Sequence, residues 1–133
     1  MTNVEILQEP LRIQAMGSTR AGLIVAAMKG LFQAARVEYP LEGEESTRAF
    51  EIEAESAPQL ILSVLRQVAA LAVEHSEMYA EVSFSLITDK KAAGSFVGRP
   101  VTPTPAMPSI VSIDGDVLKG EDGMWHAAVA LGS

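Results

Sequence analysis

Apolar residues recur in this chain with two different periods, and the changeover between them constrains the fold more than any other feature. Between Thr19 and Ala35, the residues Ile24, Ala27, Met28, Leu31 and Ala35 recur at spacings of three and four, which is the period of a helix burying one stripe. On both sides of that stretch the apolar residues alternate, as in a strand with one wet face. Leu11, Ile13 and Ala15 alternate with Arg12 and Gln14 before it; Phe50, Ile52 and Ala54 alternate with Ala49, Glu51 and Glu53 after it. A second helical stretch opens at Ser56, with Pro58 in its first turn and Gln59 completing a capping box. Ile61, Val64, Leu65, Val68, Leu71 and Ala72 form its buried stripe, which runs to about His75. Strands dominate thereafter. Val82, Phe84 and Leu86 point one way in AEVSFSLI, and Thr88-Asp89-Lys90-Lys91 turns that strand back into AAGSFV. SIVSI is a further strand, and MWHAAVAL closes the chain with Trp125, Ala127, Val129 and Leu131 on one face.

The element order is β-α-β-α-β-β-β-β. It predicts an α+β fold in which two helices pack on one face of a mainly antiparallel sheet. The 133 residues suit one domain, 1–133, and no linker or repeat divides them. Gly17-Ser18-Thr19 supplies a hydroxyl to cap the first helix. Gly22 and Gly30 each cost that helix about 1 kcal/mol against Ala, which marks them as close-packing points. Four of the seven prolines fall between Pro100 and Pro108, so that stretch is an extended loop that cannot hold a sheet ladder.

Composition excludes several function classes. A formal charge of −7 repels phosphate backbones, so direct nucleic-acid binding is not expected. With no cysteine there is neither a disulfide framework nor a Cys-based metal site. The first ten residues carry two Glu and no Lys or Arg, unlike a signal-peptide start. No unbroken apolar run exceeds the length of Leu23 to Met28, far below the roughly 20 residues of a membrane span. A cytoplasmic protein without membrane association is the expectation.

Motif chemistry is sparse. His75 and His126 share no ligand spacing with an acid and read as surface residues. Asp114, Asp116, Glu121 and Asp122 form the densest acidic group, but Leu118 occupies the alternate position where a calcium loop needs an oxygen and Lys119 adds a positive charge, so turn chemistry is the reading. MGSTRAG lacks the lysine of a phosphate loop and leaves open only a weak anion site at the helix start. Nothing assembles a nucleophile, a base and an oxyanion donor. A non-enzymatic protein with no cofactor and no metal is expected.

RIQAMGST before an Ala-rich helix, SAPQLILSVLRQVAAL after an FEIEA strand, GSFVGRPV before a loop, and the ending GEDGMWHAAVAL together resemble the archease family over about residues 4–132. The likeness lies in the hydrophobic skeleton, and the family's polar signatures are missing. Its His-Thr-Ala-Asp-Ile-Gly run would fall on Leu7 to Arg12, with Pro10 where the acid belongs. Its Lys-Ala-x-Thr-x-His strand would fall on Pro108 to Ile113, and its terminal-strand Asp at Gly132. The metal site those residues imply is therefore not carried over. Glu9 adjoins the lost acid, but a one-residue offset in a strand turns a side chain to the other face.

The resemblance implies an accessory protein, since archeases assist a GTP-dependent RNA ligase in tRNA splicing and are linked to tRNA methyltransferases. Its expected partner is then an RNA-processing enzyme, met by protein contact. The alternative is a small-molecule or anion binder using a pocket between sheet and helices near Ser18 and Arg99. Glu9, Ser18, Arg99, Asp114 and Asp116 are the candidate ligand- or partner-contacting residues.

Overall fold

The structure is a computed structural model that describes residues 2–8, 11–37, 40, 43–102, 104–113 and 117–132. Its elements are β1 (Thr2–Gln8), β2 (Leu11–Gly17), α1 (Arg20–Ala34), β3 (Ser46–Glu53), α2 (Ala57–His75), β4 (Glu77–Ile87), β5 (Lys91–Pro100), β6 (Ser109–Ile113), β7 (Leu118–Lys119) and β8 (Trp125–Gly132). The α+β order expected from periodicity is present. The structure adds β1 ahead of it and the two-residue β7 before the last strand.

The antiparallel strands divide into two sheets. One has the order β1-β2-β8-β6, with β7 also beside β8; the other has the order β3-β5-β4. Strands β2 and β8, near the two ends of the chain, are central neighbours, with Ala15 opposite Ala127 and Ile13 opposite Val129. Those four side chains are buried and face the helices.

Helix α1 touches β1, β2 and β8 of the first sheet and β4 of the second. That position explains its burial. Ile24, Ala27, Met28 and Leu31 are buried as their spacing predicts, but so are Leu23, Ala26 and Phe32, which lie off that stripe. A helix held between two sheets needs apolar residues around most of its circumference. Its approach to the first sheet is set by Gly30, where an added Cβ would lie 2.6 Å from a methyl of Ile13 and 2.6 Å from one of Val4.

Helix α2 is capped by Ser56, whose Oγ accepts from the Gln59 N–H. It ends at Ser76, whose φ of 50° turns the chain directly into β4. By length and composition α2 would suffice to cross a membrane; here its apolar residues pack on β3, β4, β5 and β6. Its Arg66 donates to the carbonyls of Ile110 and Val111, so a charged side chain covers part of the β6 edge.

The second sheet faces the helices with an aromatic cluster. Phe50 stacks on Phe96 at 4.2 Å, Phe84 meets Phe50 edge-on, and Tyr79 bridges Phe96 and Phe32. Two bulges interrupt the pairing of β4 with β5, between Tyr79 and Glu81 and between Phe84 and Leu86. The second corrects the expected alternation. Val82 and Phe84 pack against the core, but Leu86 turns to solvent at 42% exposure and Ile87 takes the inward place.

Gly30→Val tests the α1 contact. Overpacking of this kind costs about 2 kcal/mol, and chemical denaturation should show a loss of that size. Unchanged stability would mean that α1 does not approach β1 and β2 so closely.

Candidate functional site

Both helices begin at the same end of the molecule as the β4–β5 turn. Thr19 caps α1, its Oγ1 accepting from the Gly22 N–H at 2.9 Å. Ser56 caps α2 in the same way. The turn is tied by the Thr88 N–H donating to the Lys91 carbonyl at 2.8 Å. Between these three pieces lies a cleft of about 350 Å³.

The floor of the cleft is apolar. Leu23 and Ile24 come from the first turns of α1, and Leu60 and Ile61 from those of α2; none is more than 4% exposed. Ile87, Val117 and Trp125 complete the walls. The polar groups sit at the mouth: Arg20, Glu55, Ser56, Thr88, Asp89 and Lys90. Arg20 pairs with Asp89 across the opening at 2.5 Å, and its guanidinium lies 4.9 Å from the centre of the Trp125 ring. The pair is well exposed, at 42% for Arg20 and 59% for Asp89. Such a pair contributes at most about 1 kcal/mol to stability and exchanges readily. The helix starts add the partial positive charge of two helix ends to this region.

The residues singled out from the sequence are scattered. Ser18 is exposed, one position before the Thr19 cap. Arg99 is part-buried in β5, where its Nη1 donates to the Pro40 carbonyl at 3.1 Å. Lys91 at the cleft end of β5 and Arg99 near its other end are roughly 25 Å apart at the rise of a strand, so Ser18 and Arg99 do not share a pocket. Glu9, Asp114 and Asp116 lie outside the described residues. His126 is half-buried on the outer side of β8, opposite the face of Trp125, and its Nε2 lies 3.2 Å from Asp122. The Met124 N–H and, after it, His126 lower the pKa of that carboxyl. Among the described residues, no group of three or more His, Asp or Glu is placed to hold a metal ion.

A second polar cluster lies near the start of β4, on the core side of the second sheet. Glu77 is 4% exposed. Arg48 of β3 reaches it with two parallel hydrogen bonds of 3.0 Å, and the Tyr79 hydroxyl donates to it at 2.7 Å. Burial alone would raise the carboxyl pKa, but hydrogen bonds from Arg48, Ser46 and Tyr79 outweigh it and bring it down to about 2. The same contact raises the Arg48 pKa, and burial followed by the carboxylate raises that of the Tyr79 phenol. The cluster is closed on itself: a two-point ion pair with its third partner supplied locally. It holds β3 and β4 in register across β5.

Neither site was named from the sequence. Glu77 precedes the alternating run that marks β4, although its spacing of two from Tyr79 puts both on one face of an extended strand. The cleft residues come from α1, α2, β4 and β8 and the connections beside them, and only the fold brings them together.

Glu77 makes acid stability testable. Its folded pKa of about 2 lies below the ordinary 4.5. Its contribution is therefore complete above pH 4.5 and is lost as pH falls through 2. The difference corresponds to roughly 3 kcal/mol. Denaturation free energies measured from pH 6 to pH 2 should fall by about that much in the native chain, and Glu77→Gln should flatten this part of the curve. A variant curve parallel to the native one would refute the assignment.

No protein-family model matches this chain, and no curated protein matches it.

Proposed function

We propose that the protein is a non-enzymatic accessory protein of archease type, which works by contacting an RNA-processing enzyme. The observation that carries this reading is the pairing of β2 with β8. The segments RIQAMGST and GMWHAAVAL, which hold much of the resemblance, lie side by side at the centre of one sheet, beside the helix that the first of them opens. The charge of −7 supports contact with a protein rather than with RNA.

The cleft favours a second reading, a small-molecule binder. An apolar pocket with a few convergent polar groups is the usual form of a ligand site, and 350 Å³ lies within the size range of such pockets.

Two measurements separate the readings. Immobilised full-length protein should recover an RNA ligase or a tRNA methyltransferase from native extract, and the purified chain should raise the rate of that enzyme. Recovery of unrelated proteins with no stimulation would reject the accessory role. For the second reading, a thermal-shift screen should find a compound that raises the melting temperature. At 100 times its dissociation constant, such a ligand adds about 2.7 kcal/mol.

A further inference from the structure

The cleft between the first turns of α1 and α2 joins an apolar floor to an anchored but exchangeable cation. We infer that its ligand is a monocarboxylate with a compact apolar tail, which takes the place of Asp89 on Arg20. The inference rests on the small-molecule reading of the cleft and names the ligand class.

The tail follows from the floor. Leu23, Ile24, Leu60 and Ile61 line it and contribute no polar side-chain atom. A charged or strongly polar group placed there would lose its water without gaining a partner. The volume of about 350 Å³ sits at the small end for ligand pockets, so the tail is short.

The head follows from how Arg20 is held. Two contacts fix its guanidinium, the Trp125 ring behind it and the Asp89 carboxylate across the mouth. A ligand carboxylate replaces Asp89 like for like. It leaves the Trp125 contact in place, and Asp89, 59% exposed, returns to water at little cost. A cationic head on Asp89 would displace Arg20 from that carboxylate and leave it beside a like charge. Lys90 also stands at the mouth, balanced by Glu55, and the two helix starts tilt the local field toward an anion. Arg20 thus acts as the recognition residue, Trp125 holds it in position, and Asp89 is an internal competitor for the same fork.

Trp125 is the one tryptophan of the chain, so its emission reports on the cleft directly. The probes are octanoate, 1-octanol and octylammonium, titrated at equal ionic strength below their aggregation concentrations. Calorimetry checks any titration that leaves the emission unchanged. Octanoate should bind at least tenfold more tightly than 1-octanol, with octylammonium weakest. Asp89→Asn should tighten octanoate severalfold by removing the competitor. Arg20→Gln should abolish the preference for octanoate over 1-octanol while 1-octanol still binds. The opposite signs of the two variants separate recognition from a general loss of fold, which circular dichroism of each variant also checks. Equal affinity for octanoate and 1-octanol, or tightest binding by octylammonium, overturns the carboxylate assignment and leaves the small-molecule reading standing. No emission change and no heat with any of the three probes overturns both.

Discussion

Helix α1 has apolar residues around most of its circumference, and such a helix has no stable place on the surface of a single sheet. With only one face covered, Leu23, Ala26 and Phe32 would not be buried together with Ala27, Met28 and Leu31. Two sheets supply the two faces. The first is brought close by Gly30, which lets Ile13 and Val4 sit against the helix backbone. The second offers the ring of Tyr79 to Phe32. The remaining architecture follows from this requirement. Strand β8 must return beside β2 to widen the first sheet, and β3, β4 and β5 must form a separate one. Helix α2 then fills the remaining width between them.

Two ion pairs mark the two ends of the helix layer, and their environments set them apart. At the β4 start, Glu77 is buried, held by Nε and Nη2 of Arg48 and satisfied further by Tyr79. Removing Arg48 would leave Glu77 a buried carboxylate that keeps only the hydrogen bonds of Tyr79 and Ser46 and has lost its counter-charge, a cost of several kcal/mol. The pair therefore behaves as part of the fold. At the other end, the Arg20–Asp89 pair spans a cleft with both partners largely in solvent. Its loss costs little, so it can exchange partners. The fold thus separates a fixed contact from an exchangeable one along the length of β4 and β5.

The legible part of the fold was what local chemistry dictates. Ser56-Ala57-Pro58-Gln59 specifies the start of α2 by hydrogen bonding and ring geometry, and the helix begins there. Alternation in FEIEA and MWHAAVAL fixes which side chains face inward, because a strand has only two faces. The limits were non-local. Leu86 follows the inward alternation of Val82 and Phe84, yet a bulge carries it to solvent, and a bulge is set by the pairing with β5. The alternation of Val4 and Ile6 in β1 is short and is followed at once by Leu7, which blurs its period. The division into two sheets was encoded in the extra apolar residues of α1, whose significance depends on what surrounds it. Arg20, Asp89 and Trp125 are far apart in the chain, and no spacing rule links them.

The cleft also lies far from the acidic positions that a resemblance to archeases would imply. In the resemblance to archeases, those positions fall at Pro10 and Gly132, toward the Leu11 and Gly132 ends of β2 and β8. The cleft lies at the opposite ends, where Gly17 is paired with Trp125. Seven residue steps of β8 separate Trp125 from Gly132, roughly 24 Å at the rise of an extended strand. The positions where that resemblance would place carboxylates are thus far from the apolar floor, Arg20 and Trp125. The proposed binding at the cleft and the ion holding that the resemblance would imply at the far end are thus physically independent demands on the same sheet. The β2–β8 ladder joins the two ends, and backbone hydrogen bonds and the buried pairs Ala15–Ala127 and Ile13–Val129 hold it together whichever of the two demands is made on it.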